Sequence, residues 1–251
     1  MEELYGDYPQ TELQYETPFQ LLVAVVLSAQ TTDKQVNKVT KKLFQRVSTP
    51  QELVALWPEK FGEMIKTVWL RTSKARYLYR LAEMLIEKTQ QEAESGKWKV
   101  ENKELAGDKW GIHEITLSSL HSSSQWRLPV SGSRDILTWW GYRLPETIEE
   151  FLKLPGVGIK TAKVVMPILY GKHYIAVDTH VQRVAMRLGR VKTTAADQTS
   201  KKLEKLISEK QKIIAHRVII YFGRYRCTAK NPNCGPCRLK EICLWYRKNK
   251  N

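Results

Sequence analysis

The stretch Leu152-Lys-Leu-Pro-Gly-Val-Gly-Ile-Lys-Thr-Ala-Lys163 decides the fold. A short helix over Pro145–Leu152 runs out by Leu154, because Pro155 lacks an amide donor and Gly156 accepts a left-handed backbone. Gly158 lets the chain turn back sharply, and an apolar second helix runs from Ile159 to Tyr170. Two helices joined in this way form a helix-hairpin-helix. Its glycines have no side chain to block a close approach, so backbone N–H groups and the positive start of the second helix can hold a phosphate oxygen. Such a turn grips a sugar–phosphate backbone without reading bases. Gly156, Val157, Gly158 and Thr161 are the candidate contacts.

Outward from this turn the chain stays helical. Thr17-Pro18-Phe19-Gln20 is a capping box with Pro at the first helical position. The apolar run after it predicts a helix buried nearly all round. Thr49-Pro50-Gln51-Glu52 repeats the start signal, and Leu78, Leu81, Leu85 and Ile86 recur at helical spacing between Ser73 and Thr89. Further helices are predicted over Thr179–Leu188, Ser200–Ile207 and Ile213–Phe222. No pair of segments alternates as a β-hairpin would, so the fold is expected to be all-α. From about Gln91 to Thr138 the pattern lapses into a Ser-rich stretch holding Trp98, Trp110 and Trp126. It reads as an insert elaborating the surface. With six Lys/Arg against seven Asp/Glu it is nearly neutral, so the basic character belongs to the helical body.

That character is pronounced: 41 Lys and Arg stand against 26 Asp and Glu, a net charge of +15 over 251 residues. A polyanionic partner follows, and nucleic acid suits a chain without an amphipathic anchor better than a membrane does. With 42% hydrophobic and 27% charged residues the composition is that of a globular protein, which excludes disorder for most of the chain. The longest uncharged apolar run, Leu21–Ala29, is well short of the roughly 20 residues a membrane span needs. The acidic start Met1-Glu-Glu-Leu4 is unlike an export signal, so a cytoplasmic, nucleoid-associated protein is expected.

Two constellations carry chemistry. Lys160 lies two residues after Gly158, in the first turn of the second hairpin helix, and Asp178 opens another helix in Val177-Asp-Thr-His180. Amide donors at a helix start keep a carboxylate ionised. If Asp178 faces Lys160 across a groove, the pair makes a nucleophile with a base beside it, since a lysine amine attacks only when neutral. Cys227, Cys234, Cys237 and Cys243 fall within seventeen residues, which reads as a metal site rather than a disulfide framework. Such thiolates bind zinc or an iron–sulfur cluster.

Four stretches, in this order, resemble the endonuclease III family of bifunctional DNA glycosylase/AP lyases: Leu27-Ser-Ala-Gln-Thr-Thr-Asp33, Leu154-Pro-Gly-Val-Gly-Ile-Lys160, Ala176-Val-Asp-Thr-His180 and the spacing C-x6-C-x2-C-x5-C. The resemblance covers Thr11 to Tyr246 apart from the insert. It implies a two-lobed fold, with a helical barrel over residues 11–172 and a cluster domain made of residues 1–10 and 173–251. It implies Lys160 as the nucleophile at C1′ of the damaged nucleotide and Asp178 as its helper. It implies a 4Fe–4S cluster on the four cysteines, whose loop presents Lys230, Arg238 and Lys240 to phosphates. Gln30 and Leu70 match the family's residues that fill the gap left by an extruded base, and His180 joins the DNA contacts. The implied partner is double-stranded DNA with an oxidised pyrimidine or an abasic site, bound by a monomer. An adenine glycosylase would carry Glu where Val25 stands, and a mismatch thymine glycosylase would replace Lys160 by tyrosine. The competing readings are a non-catalytic DNA-binding protein of the same fold, a mismatch-type glycosylase and a zinc-bound RNA-binding protein.

Overall fold

The computed structural model describes residues 11–56, 59–95 and 141–249. Among these residues there are helices and connecting turns and no strand, as the pattern predicts. Helix α1 (Pro18–Ser28) starts on Thr17, whose Oγ1 accepts from Gln20 N while the Gln20 side chain accepts from the Thr17 N–H. Every residue from Pro18 to Leu27 is buried. The large apolar side chains among them are worth about 1.5–3 kcal/mol each on burial. α1 is the central rod of a core that runs from Leu13 to Met166. Tyr142, fully buried, meets the start of α1 edge-on at Phe19, and its hydroxyl accepts from the Phe19 N–H at 2.9 Å.

Around α1 stand α2 (Asp33–Leu43), α3 (Pro50–Ala55), α4 (Glu59–Met64) and the long α5 (Arg71–Glu94). α3 begins with the second capping box, Thr49 with Glu52. α5 continues to Glu94, past the end predicted at Thr89, so the first residues assigned to the insert are helical. The rest of the insert, with its tryptophans, lies outside the described residues, as do residues 1–10. α6 (Ile148–Phe151) and α7 (Ile159–Tyr170) flank the hairpin turn, and α7 packs on α1. α6 ends sooner than its apolar pattern suggests. Beyond Phe151 the chain tightens into three-residue turns, with Lys153 N donating to Glu150 O and Leu154 N to Phe151 O.

Two further core clusters lie in the C-terminal part, between Ile175 and Leu239. They are built from α8 (Thr179–Arg187), α9 (Ala196–Leu206) and α10 (Lys212–Tyr225), with α11 (Leu244–Lys248) packed on α8. Arg224 of α10 ties the two parts together by ion pairs to Glu12 at 3.1 Å and Asp33 at 3.0 Å.

Candidate active site

The hairpin turn divides its work between two glycines. Gly156 takes φ +77°, the left-handed region, and a Cβ there would lie 2.9 Å from Cβ of Tyr77 on α5. Both conformation and packing therefore require glycine. Gly158 is extended, at φ −94°, so it does not make the turn as predicted. It caps α7 without a side-chain hydrogen bond, and the space where its Cβ would stand is open. The first amides of α7 are thus left without a capping side chain at a surface a phosphate can approach. Val157 departs from its predicted part. It is buried, at 7% exposure, and its N–H donates to Leu154 O at 3.1 Å, because that bond closes the turn. Thr161 is half-buried and Lys160 exposed at the start of α7.

Asp178 is the N-cap of α8. Its Oδ1 accepts from the N–H of His180 at 2.9 Å and of Val181 at 2.8 Å, and its Oδ2 meets His180 Nδ1 at 3.1 Å. Burial pushes its carboxyl up. The Val181 amide, the His180 ring and the Lys160 ammonium outweigh that and hold it below the usual carboxylate value. The lysine charge is felt at this carboxylate. His180, predicted to touch DNA, has its Nδ1 committed to Asp178.

A buried lattice connects α7 to the segment that leads to Asp178. Lys163, one turn past Lys160 on α7, donates to Ser200 Oγ at 2.7 Å and Glu204 Oε1 at 2.9 Å. Glu204 also accepts from Ile175 N at 3.1 Å, and Ser200 Oγ donates to Ile175 O at 2.7 Å. The helix bearing the lysine is thereby tied to the segment ending in Asp178. On that segment Ala176 O accepts from His216 Nε2 of α10 at 2.9 Å. Burial pushes the His216 imidazole down, and it lies within electrostatic reach of Asp178 and Lys160. None of Lys163, Ser200, Glu204 and His216 was legible in the sequence as part of the site. Lys163 is one basic residue among 41, and its partners are distant in the chain.

Gln30 and Leu70 meet across an open cleft lined also by Thr31, Lys66 and Trp69. Both adopt φ +56°, a conformation side chains rarely take. Lys74 of α5 explains how they are held. It is 5% exposed, and its ammonium donates to Leu27 O at 2.8 Å, to Ala29 O and to Thr31 Oγ1 at 3.2 Å, closing the end of α1 just where Gln30 turns out. Its own N–H donates to Leu70 O at 3.0 Å.

All four cysteines are free of disulfides and line one pocket beside α8 and α11. Among the described residues no three potential ligands converge as they would on a single metal ion. Burial, and then the neighbouring cysteines, push the Cys234 thiol up. The loop is held from α8. Arg183 donates to Cys227 O at 2.9 Å and Gly223 O at 2.7 Å, and Arg187 donates to Thr228 O at 2.7 Å and to Cys227 Sγ at 3.3 Å. The Arg187 guanidinium also stacks on Trp245 at 4.6 Å. Lys230 and Arg238 are exposed and Lys240 is half-buried.

Residues 23–209 match the family described as HhH-GPD superfamily base excision DNA repair protein. The chain is 35% identical to endonuclease III of Rickettsia prowazekii over 238 residues, covering 95% of this chain and 88% of the relative. It is 33% identical to endonuclease III of Bacillus subtilis, covering 94% and 85%. A trapped endonuclease III–DNA covalent intermediate, solved as an estranged-adenine complex, superposes with TM-score 0.75 at 33% identity, covering 100% of this chain and 93% of that one.

Proposed function

The chain belongs to the endonuclease III family of the HhH-GPD superfamily of base excision DNA repair proteins, and from that premise we propose how its own residues do the work. It is a DNA glycosylase with AP lyase activity. Lys160 is the nucleophile. Its neutral amine bonds to C1′ of the damaged nucleotide and the base leaves with the electrons of the glycosidic bond. Opening of the sugar ring then gives a Schiff base. Loss of a proton from C2′ expels the 3′ phosphate and nicks the strand. Asp178 accepts the proton that Lys160 must shed and steadies the cationic sugar while the base departs. The substrates are oxidised pyrimidines and abasic sites in duplex DNA. Gly156, Gly158 and Thr161 hold the backbone, with the phosphate at the open start of α7. Gln30 and Leu70 fill the space of the extruded nucleotide.

The observation that carries this reading is the pair of helix starts: Lys160 in the first turn of α7 behind the hairpin, and Asp178 capping α8 with its carboxylate held by the His180 and Val181 amides. Borohydride reduction on duplex DNA with an abasic site tests it. The wild-type chain should be trapped covalently and Lys160→Ala should not. A chain that binds DNA without being trapped would be a binder only, and base release without nicking would show that Lys160 is not the nucleophile.

The cysteines fit a 4Fe–4S cluster. Four free thiols around one pocket, at the spacing C-x6-C-x2-C-x5-C, supply the four sulfur ligands such a cluster takes. Cys227, Cys234, Cys237 and Cys243 would hold the cluster, which would pin the loop that carries Lys230, Arg238 and Lys240. The separate apolar cores support two lobes, residues 11–172 and 173–251, the second completed by residues 1–10. Among the described residues no helix is long and apolar enough to cross a membrane.

A further inference from the structure

Trp69 is 63% exposed, between buried Val68 and Leu70, itself 55% exposed. This exposure is built rather than incidental. Val68 N donates to Ile65 O at 2.9 Å and Lys74 N to Leu70 O at 3.0 Å, so the turn is closed on both sides of the indole. Arg71 closes it further by donating to Lys66 O at 3.2 Å. Leu70 adopts its left-handed conformation within this turn, which sends two large apolar side chains into water together. Aromatic surface of that size is normally buried or committed to a partner.

The cleft around it indicates the partner. Trp69 lines it together with Gln30, Leu70, Lys66 and Arg71, so a flat π-surface, a polar tip and an apolar wedge stand among positive charges. A nucleobase on a phosphate chain matches that combination. When a nucleotide leaves the duplex, its former partner loses its hydrogen bonds and part of its stacking. The related trapped endonuclease III–DNA intermediate is described as an estranged-adenine complex.

We propose that Trp69 is a base-stacking residue whose indole takes the unpaired base of the strand opposite the lesion. The proposal rests on the assignment of Gln30 and Leu70 as the residues that enter the duplex. Because stacking grows with the size of the ring system, Trp69 favours lesions that lie opposite purines.

The test uses a duplex with a tetrahydrofuran abasic analogue opposite 2-aminopurine, whose fluorescence reports stacking. In the wild-type complex the 2-aminopurine is dark, and in Trp69→Ala it brightens. Affinity for the analogue opposite adenine falls about 5- to 150-fold in Trp69→Ala. Trp69→Phe restores most of both signals, and the loss is smaller opposite thymine. An equally dark complex with affinity within twofold of wild type would overturn the proposal while leaving the lyase reading intact. Affinity for the analogue that stays at the wild-type level in both Gln30→Ala and Leu70→Ala would instead sink the assignment on which it rests, and the proposal with it.

Discussion

The proposed mechanism gives Asp178 two jobs that one substitution can separate. As the N-cap of α8 its Oδ1 accepts from His180 N and Val181 N, and an asparagine oxygen can do the same. The asparagine amide can donate to His180 Nδ1 where Oδ2 now stands, provided the imidazole proton moves to Nε2. Asp178→Asn therefore keeps the helix start, and its stability should stay within about 1 kcal/mol of wild type. Asp178→Ala loses the cap as well, at a cost of about 1–2 kcal/mol. Neither can take a proton from Lys160. General-base assistance is worth about 10²- to 10⁴-fold, so both should slow single-turnover strand cleavage by about that factor. Thermal unfolding measured beside borohydride trapping separates the two jobs. If Asp178→Asn traps at the wild-type rate, and Asp178→Ala slows only as far as its stability falls, the carboxylate is a cap and nothing more. The acid limb gives an independent check. The folded carboxyl lies below its unfolded value, so its stabilisation is complete above about pH 4 and is lost as pH falls through the folded value. Asp178→Asn should flatten that limb.

Three other outcomes follow from the same geometry. Lys74→Met leaves Leu27 O and Ala29 O without their buried donor, which should cost about 2–4 kcal/mol in chemical denaturation and weaken binding to duplex DNA as Gln30 loosens. Gly156→Ala combines a left-handed alanine with a contact against the root of Tyr77, so a loss of about 1–3 kcal/mol is expected in thermal unfolding. His216 is held neutral by burial, so the folded chain resists a proton that the unfolded chain takes up near pH 6.5. Stability should fall as pH drops from there through the folded value, and His216→Gln should remove that slope in pH-dependent melting.

How far the sequence reveals the molecule depends on where the information sits. α1 is legible because Thr17, Pro18 and Gln20 announce its start and an unbroken apolar run follows. The hairpin is legible from Leu154 to Lys160, yet its division of labour is not. Only φ values tell that Gly156 makes the turn while Gly158 leaves room. Gln30 and Leu70 suggest themselves through family resemblance, but their left-handed backbone does not, since that state is normally assigned to glycine. The lattice of Lys163, Ser200, Glu204 and Ile175 is invisible for a different reason. Its members are strung over forty residues and mean nothing until α7 and α9 are brought together.

α8 carries the Asp178 carboxylate at one end and, through Arg183 and Arg187, the cysteine loop further along. A helix transmits orientation as faithfully as distance, for each residue turns it by about 100°. Adding or removing one residue between Asp178 and Arg183 would swing the carboxylate to another direction while the arginines kept their hold. The outward face of α8 is therefore free to change in chemistry, whereas its length is fixed by the need to aim both ends at once.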